Sequence, residues 1–334
     1  MVNILEGLSK PEAYDEEVKE IKVIQTHISY VFLTGDYVYK VKKPVNFGFL
    51  DFTTLEKRKY FCEKEVEINS KFSPDLYIGV LPITREENGE IKINGSGKVI
   101  DYVIKMKELP QERLMSKLLE KDEINEEIID KIISILINFY SKTESIDESR
   151  SLGNLETIKF NWNENFETTK SFVNITIPEK IFEEIKNKVN NFFEINKELF
   201  EKRLKENKIK WCHGDLHSNN IFVTDKIHIF DGIEFNERFA CIDIAEDIAF
   251  LLMDLEFKNK KALSNYFLEK FIEKTGDRDL LKLLDFYKCY RAYVRGKVTS
   301  FKLNDPNIGR EEKEQVLKEA RSYFNLAFEY AKKL

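Results

Sequence analysis

Apolar and polar positions follow two different periods along the chain, with short β-type runs in the first hundred residues and helical spacing afterwards. Two of the β-type runs, Tyr30–Leu33 and Tyr37–Lys42, flank a Thr-Gly-Asp turn, which predicts a β-hairpin with a short loop. Residues 80–83 and 99–106 predict further strands. The first part of the chain therefore has the pattern of a small antiparallel sheet.

One amphipathic helix is expected to pack against this sheet. Thr53 and Glu56 have the spacing of a capping box, in which each side chain hydrogen-bonds the backbone N–H of the other residue. Helical spacing then continues to about Phe72.

After Pro110 the pattern becomes helical, with Leu and Ile recurring at intervals of three and four. A β island at 209–231 interrupts it, and the stretch 143–176 has little pattern. We therefore divide the chain into a β-rich N-lobe, residues 1–107, and a mainly helical C-lobe, residues 108–334. Helices are predicted over 113–140, 179–206, 240–257, 260–275, 279–303 and 311–333.

Composition excludes several classes of protein. The net charge is −6, from 53 Lys+Arg and 59 Asp+Glu, and no long basic stretch suggests nucleic-acid binding. The longest apolar run, Ile248–Met253, is far shorter than the roughly 20 residues that span a membrane. The four cysteines form no CxxC pair, and the N-terminus has no secretion signal. We expect a cytoplasmic protein with reduced thiols and without a zinc site.

The most informative motif is His213-Gly-Asp-Leu-His-Ser-Asn-Asn220, followed by Asp231. Its spacing, H-x-D-x-x-x-x-N with a second Asp eleven residues later, is typical of the catalytic loop of kinases. Phosphoryl transfer needs a carboxylate that orients the attacking hydroxyl, which suits Asp215, and oxygen ligands for Mg²⁺, which suit Asn220 and Asp231. His213 braces the loop or contacts the substrate. The alternative is a polar turn with a structural histidine.

A second constellation lies in the N-lobe. Lys40 and Lys42 point to the same face of their strand because side chains alternate with a period of two. Glu65 lies within an apolar helical stripe, where an ionised carboxylate is costly unless a cation pairs with it. A pair between Glu65 and one of the lysines would position ATP phosphates. Alternatively, all three side chains are exposed surface charges.

Other acidic residues admit two interpretations. Asp243, Asp247 and Asp254 share one face of an apolar helix, where they reach the catalytic loop or a cationic substrate, or form internal pairs with Arg291 or Arg295. Glu234 and Asn236 line the site of the phosphate acceptor or cap a loop.

Several stretches beside the catalytic motif are distinctive, namely Thr26–Ser29, Tyr39–Val45, Phe49–Phe52 and Phe230–Asn236. Together with His213–Asn220 and Asp231, they resemble the aminoglycoside phosphotransferase family of kinase-like enzymes, and the resemblance covers nearly the whole chain. The longer stretches resemble more closely a bacterial subgroup of aminoglycoside-phosphotransferase-like proteins. Some members of that subgroup carry an additional P-loop kinase domain, which is expected to be absent here because no G-x-x-x-x-G-K-[ST] motif occurs.

The resemblance implies a bilobal, protein-kinase-like α+β fold with ATP between its lobes. It makes Asp215 the base, Asn220 and Asp231 the Mg²⁺ ligands, Lys40 the phosphate-binding lysine and Glu65 its partner. The choice between Lys40 and Lys42 stays open.

The nucleotide contacts that the resemblance implies differ from those of protein kinases. The segment 105–108, with Met106, would lie beside adenine. No glycine occurs in Thr26–Ser29, where a Gly-rich loop should cover the phosphates, so the hydroxyls of Thr26 and Ser29 would take its place.

The implied activity is transfer of the ATP γ-phosphate to a hydroxyl of a small molecule, whose identity the sequence does not give. Alternatives are a protein Ser/Thr kinase and a non-catalytic, nucleotide-binding regulator. No nucleic-acid or membrane partner is expected.

Overall fold

The computed structural model describes residues 3–146, 151–306 and 308–334, which form two compact units. The first unit contains the described residues up to Leu114 together with Asn220–Glu237. The second contains Met115–Asn219 and Arg238–Leu334. The boundary predicted at residue 107 marks the change from strands to helices along the chain. The two compact units instead group residues that lie close together in space, so the two divisions describe different properties.

Both units combine helices with antiparallel strands, as an α+β fold requires. In chain order the elements are α1 (Ile4–Leu8), β1 (Lys22–Gln25), β2 (Ser29–Leu33), β3 (Tyr37–Lys42), α2 (Leu55–Asn69), β4 (Tyr77–Arg85), β5 (Ile91–Ile93), β6 (Lys98–Lys107), α3 (Met115–Glu120), α4 (Glu126–Lys142), α5 (Leu155–Thr169), α6 (Glu179–Ile195), α7 (Lys197–Lys205), β7 (Ile209–Trp211), β8 (Ile221–Val223), β9 (Ile227–Ile229), α8 (Glu237–Ala240), β10 (Cys241–Asp243), α9 (Ile244–Phe257), α10 (Lys261–Thr275), α11 (Leu280–Phe301) and α12 (Arg310–Ala331).

An antiparallel sheet in the order β1-β2-β3-β6-β4-β5 forms the body of the first unit. The predicted hairpin is confirmed: β2 and β3 pair from Ser29 opposite Lys42 to Leu33 opposite Val38. Helix α2 packs on the sheet, where Cys62 lies in one buried cluster with strand residues of β4 and β6. Burial of this apolar surface is what fixes α2 against the sheet.

Helix α2 begins one residue later than the predicted capping box requires. Thr54 caps it by accepting a hydrogen bond from the Lys57 N–H (3.2 Å), so the assignment of Thr53 as the cap is wrong. Thr53 instead donates its hydroxyl to Asp51 Oδ1 (2.6 Å). The helix ends at Asn69, three residues before the predicted end.

The β island at 209–231 divides into two separate pairings. Strand β7 pairs with β10 in the second unit, whereas β8 pairs with β9 in the first. The island therefore contains one hairpin, formed by β8 and β9, and strand β7, which precedes the catalytic motif, lies outside it. A short turn closed by the Thr224 N–H and the Lys226 carbonyl (2.9 Å) joins β8 directly to β9, which occupies one edge of β8.

The core of the second unit surrounds α9, in which every residue from Ala245 to Leu255 is buried. Aromatic side chains of α5 and α11 pack beside it, with the Trp162 ring centroid 5.2 Å from that of Tyr290. Helix α5 lies in the stretch that had little pattern. Asn154 marks its start by accepting a hydrogen bond from the Thr157 N–H (2.9 Å).

Two predicted helices are each divided in the structure. The helix expected over 113–140 becomes α3 and α4, because Asp122 takes a left-handed conformation (φ 58°) and Asn125 caps the next helix. The helix expected over 179–206 becomes α6 and α7, which meet at Asn196. Among the described helices, none is both long and apolar enough to cross a bilayer.

Candidate active site

Lys40 and Lys42 of β3 both contact Glu65 of α2. The distances are 2.8 Å from Lys40 Nζ to Glu65 Oε1 and 2.7 Å from Lys42 Nζ to Glu65 Oε2. Alternation along the strand points both lysines toward the helix, and the apolar stripe buries Glu65 completely. The alternative of three exposed surface charges is therefore wrong.

Each lysine also contacts a second carboxylate. Lys40 Nζ lies 2.5 Å from Asp231 Oδ1, and Lys42 Nζ bonds Glu234 Oε1. We call these five residues the lysine–carboxylate cluster. With all members ionised, it contains two positive and three negative charges, all within the first unit.

Exposure differs sharply across the cluster. The side chains of Lys42 and Glu65 are 1% and 0% exposed, whereas those of Lys40 and Asp231 are 14% and 45% exposed. Lys40 and Asp231 thus form the edge of the cluster that a ligand can reach.

The charges of the cluster support one another. Burial alone would raise the pKa of Glu65, but Lys40 and Lys42 lower it to about 2. Burial likewise opposes the charged form of Lys40, yet Asp231 and Glu65 outweigh it and raise the pKa of Lys40 well above its ordinary value. Lys40 and Glu65 are therefore ionised at neutral pH.

Three side chains outside the cluster hydrogen-bond the backbone at Asp231 and on both sides of it. The Ser73 hydroxyl donates to the Ile229 carbonyl (2.8 Å), and Asn69 Oδ1 accepts from the Gly232 N–H (2.7 Å). Tyr77 Oη accepts from the Asp231 N–H (3.2 Å). Asp231 is held with φ 61°, the left-handed region that non-glycine residues enter at a cost.

Asn220 and Asp231 lie at the same end of the β8–β9 hairpin. Asn220 directly precedes β8, and its carbonyl accepts a hydrogen bond from the Phe230 N–H (3.1 Å). Ile221 pairs with Ile229 at this end. The structure thus brings the two predicted metal ligands to neighbouring positions of one turn-connected element.

In the second unit, the loop that carries Asp215 is held by carboxylates of α9. Asp247 Oδ2 accepts from the His213 N–H (3.1 Å) and Asp247 Oδ1 from the Gly214 N–H (2.9 Å). Asp254 Oδ2 accepts from the Ser218 N–H (2.9 Å). These acids therefore brace the loop from within, and they are buried.

Histidine and arginine side chains make further contacts within the loop. His213 is fully buried, and its Nδ1 accepts from the Asp215 N–H (3.2 Å), which is a bracing contact. His217 Nε2 lies 3.3 Å from Asp215 Oδ2. Burial would raise the pKa of Asp215, but His217 and Arg295 outweigh it and hold that pKa well below its usual range. Arg291 Nη1 donates to the Gly214 carbonyl (2.8 Å).

Asp243 differs from the other two acids of its predicted face. It caps α9, with Oδ1 accepting from the Ala245 N–H (2.8 Å), and it pairs with the buried Arg203 (2.6 Å). The expectation of internal pairing is confirmed for Asp243, although its partner is Arg203 rather than Arg291 or Arg295.

The predicted nucleotide contacts of the sheet lie in different surroundings. Thr26 is exposed, and its hydroxyl oxygen accepts from the Ser29 N–H (2.9 Å). Ser29 is buried, and within the described chain its Oγ has no hydrogen-bond partner. Met106 is buried in β6 opposite Val38 and Tyr77. Their roles toward a nucleotide stay predictions.

The residues of the first unit fit a hard divalent cation in their chemistry. No group of three or more His, Cys, Asp or Glu side chains that could hold a metal occurs in the part of the chain described. Asn220 and Asp231 supply oxygen atoms, the type of ligand that Mg²⁺ prefers, and Mg²⁺ commonly takes its other ligands from phosphates and water. Asp231 lies at the exposed edge of the lysine–carboxylate cluster, where a cation can reach its carboxylate.

Sequence reasoning missed the contacts made by His217, Asn69 and Tyr77. For Asn69 a signal was available, because it lies one helical turn after Glu65 and so shares its face of α2. No comparable signal identified His217, whose contact with Asp215 depends on the conformation of the loop.

Comparison with curated proteins finds uncharacterised relatives. No family model matches the chain. Uncharacterised proteins of Mycobacterium tuberculosis and Mycobacterium bovis are 30% identical over 279 residues, which cover 83% of this chain and 54% of theirs. The chain thus spans about half the length of the curated relatives that it matches.

Comparison with solved structures identifies the fold. A choline/ethanolamine kinase family protein from Mesorhizobium loti matches with a TM-score of 0.52 and 11% identity, covering 95% of this chain and 93% of that one. The protein has a kinase-like fold. A glucosamine kinase bound to glucosamine, ADP and inorganic phosphate matches with a TM-score of 0.51 and 10% identity over 94% of this chain and 79% of its own. An ethanolamine kinase from Plasmodium vivax has a TM-score of 0.50 and 13% identity, covering 90% and 81%. The expected α+β kinase-like fold is thereby confirmed.

Proposed function

We propose that the protein is an ATP- and Mg²⁺-dependent phosphotransferase that acts on a hydroxyl group of a small molecule. The observation that carries this proposal is the contact of Lys40 with both Glu65 and Asp231. Phosphoryl transfer in kinases depends on a lysine that engages the phosphates, a glutamate that orients the lysine and an aspartate that holds the metal. The kinase-like fold supports the same assignment.

Between the two lysines, exposure favours Lys40 for the phosphates. A triphosphate cannot reach Lys42, whose side chain is 1% exposed and surrounded by Glu65 and Glu234. Lys40 is more exposed and lies beside Asp231. Lys40 therefore takes the phosphate-binding role, and Lys42 does not.

Asn220 and Asp231 would hold the metal ion. When bound, Mg²⁺ neutralises charge that develops on the transferred phosphoryl group. The left-handed backbone at Asp231 and its three hydrogen-bonding neighbours restrict the orientation of this carboxylate. A fixed ligand reduces the reorganisation that catalysis would otherwise require.

Asp215 would orient the acceptor hydroxyl and accept its proton. Its side chain is 37% exposed and its lowered pKa keeps it ionised at neutral pH. Asp247 and Asp254 hold the backbone on both sides of it, so the carboxylate is presented by a fixed loop. This arrangement supplies position rather than covalent chemistry.

The acceptor is proposed only as a small molecule with a hydroxyl group. Three of the similar solved structures are kinases named for ethanolamine, choline or ethanolamine, and glucosamine, all of which carry an amine or a quaternary ammonium group. In this chain the acids of α9 that could have met a cationic acceptor are used internally. We therefore do not extend the amine preference to this protein.

Two substitutions with a matched control test the proposal. Asp215→Asn should reduce kcat by about 10²–10⁴-fold while MgATP still binds, because the general base is lost and the nucleotide contacts are kept. Lys40→Ala should weaken MgATP binding. Lys59→Ala removes an exposed lysine of α2 that pairs with Glu63, and it should leave both properties unchanged.

Isothermal titration with MgATP and a radiolabel assay across a panel of metabolite hydroxyls supply the two measurements. Near-normal turnover of Asp215→Asn would exclude Asp215 as the base. Binding of MgATP by the wild-type protein with no phosphoryl transfer to any acceptor would favour a nucleotide-binding regulator.

A further inference from the structure

Lys42, the more deeply buried of the two lysines of the cluster, has no role in the proposed reaction. Lys42 lies two residues from Lys40 on β3, and both contact the same glutamate. A buried lysine is costly unless its charge is balanced, and here two carboxylates balance it. The second of these carboxylates belongs to Glu234, and its position in the chain indicates what the ion pair does.

Glu234 lies three residues after Asp231, the proposed metal ligand. Its side chain is 5% exposed, and it bonds Lys42 Nζ. At the other end of this short segment, Asn69 and Tyr77 bind the backbone N–H groups of Gly232 and Asp231. The segment 231–234 is therefore attached at both ends to elements of its own unit.

We propose that Lys42 is a positioning residue: by bridging Glu65 and Glu234, it fixes the segment 231–234 so that the Asp231 carboxylate is directed toward the metal. This inference rests on the proposed function. Lys42 does not contact the nucleotide, because its ammonium group is enclosed by Glu65, Glu234 and the ring of Phe52, whose centroid is 4.9 Å away.

The bridge also keeps Glu65 in place for Lys40. Glu65 uses one carboxylate oxygen for each lysine. When Lys40 engages phosphates, Lys42 still holds the second oxygen, so the glutamate keeps its orientation and its charge remains paired. Lys42 thus connects the lysine that binds the phosphates to the aspartate that binds the metal.

The first experiment needs no nucleotide. Hydrogen exchange of the segment 229–236 is compared between the wild-type protein and Lys42→Met, which keeps the length of the side chain and removes its charge. We expect faster exchange in this segment and in α2. Lys288→Met is the matched control, because it removes a lysine that is also buried and is paired with Glu256 in the second unit; it should not change exchange in 229–236.

The second experiment measures the Mg²⁺ concentration needed for half-maximal ATP turnover. Residues that orient a metal ligand typically change metal affinity by about 10–100-fold when they are replaced. We expect an increase of that size for Lys42→Met and Glu234→Gln, with kcat at saturating Mg²⁺ changed much less. A residue that only stabilises the fold would lower the amount of active protein without altering the Mg²⁺ dependence.

A double variant separates positioning from stability. Lys42→Met with Glu234→Met replaces the buried pair by apolar side chains, which often preserves folding. The proposal predicts that this variant folds well and still requires more Mg²⁺. It is overturned if the double variant has the wild-type Mg²⁺ dependence, or if Lys42→Met leaves exchange in 229–236 unchanged.

The hydrogen-exchange and turnover experiments distinguish this inference from the proposed function. If the wild-type protein neither binds MgATP nor turns it over, the proposed function fails, and local exchange in Lys42→Met still decides whether Lys42 fixes the segment. If turnover is normal and neither exchange nor Mg²⁺ dependence responds, the positioning role fails alone.

Discussion

Asp247 offers the sharpest test of how the catalytic loop is held. Its carboxylate is completely buried and accepts three hydrogen bonds, from the His213 N–H, the Gly214 N–H and the Tyr140 hydroxyl (3.1, 2.9 and 2.7 Å). We consider Asp247→Ala, Asp247→Asn and Tyr140→Phe as a graded series, because they remove different numbers of these contacts.

The expected magnitudes follow from the number of buried donors that lose their acceptor. Leaving one buried donor unsatisfied costs about 1–3 kcal/mol. Asp247→Ala strands three donors, which costs about 3–9 kcal/mol, and recovery of the cost of burying a carboxylate reduces the expected loss to about 3–6 kcal/mol. Asp247→Asn keeps one oxygen and should lose about 1–3 kcal/mol. Tyr140→Phe removes a donor instead of stranding one and should lose about 1 kcal/mol.

Urea unfolding gives the free energy of unfolding of each variant, and hydrogen exchange of the His213 and Gly214 amides gives the local effect. Both amides should exchange faster in Asp247→Ala than the change in global stability explains. Glu127→Gln serves as the control, because this exposed residue of α4 should change stability by less than about 0.5 kcal/mol. If Asp247→Ala costs no more than Tyr140→Phe, or if the two amides exchange as in the wild type, the reasoning is refuted.

Two further predictions concern buried charges of the second unit. Burial lowers the pKa of Lys297 to about 8, below the value of about 10.4 expected in the unfolded chain, so the unfolded chain binds more protons between these pH values. Relative to Lys297→Met, the free energy of unfolding of the wild type should therefore rise between pH 8 and 10.4, by at most about 3 kcal/mol; parallel pH profiles would contradict this. Arg203 pairs with Asp243 and Asp277 (2.6 Å each), so Arg203→Met removes the arginine from two buried carboxylates, of which Asp277 keeps Lys208 (3.5 Å), and should cost about 3–5 kcal/mol in urea unfolding. A loss below about 1 kcal/mol would show that the pairs contribute little.

The sequence was most informative where a local period decides the outcome. Alternation along β3 was sufficient to place Lys40 and Lys42 on one face, and the helical stripe of α2 was sufficient to place Glu65 inside. The strands and most helices were also readable for this reason. The boundaries of helices were harder to predict. Thr53 and Thr54 both fit the pattern of a helix cap, and the side-chain contact of Thr53 with Asp51 decides between them.

Contacts between distant segments were not readable in the same way. Strands β7, β8, β9 and β10 have only three residues each, too few for their own pattern to specify a partner. The bonds from Asp247 to the loop join residues 33 and 34 positions apart, and their existence depends on how α9 packs. The sequence placed these acids on a common face but left two interpretations open, and packing decides between them.

The lysine–carboxylate cluster shows why a polar core can be retained in a small sheet. A buried ion pair contributes little stability compared with apolar residues of the same size, so its retention calls for another explanation. In this chain the buried pair is that of Lys42 and Glu234, and it belongs to the same cluster as Lys40 and Asp231. These two proposed ligand-binding residues need to keep a fixed separation. An apolar pair in place of Lys42 and Glu234 would fill the same space, but it would not direct a carboxylate or hold Glu65 by one oxygen. We therefore attribute the second lysine to the geometry of the site rather than to the stability of the fold.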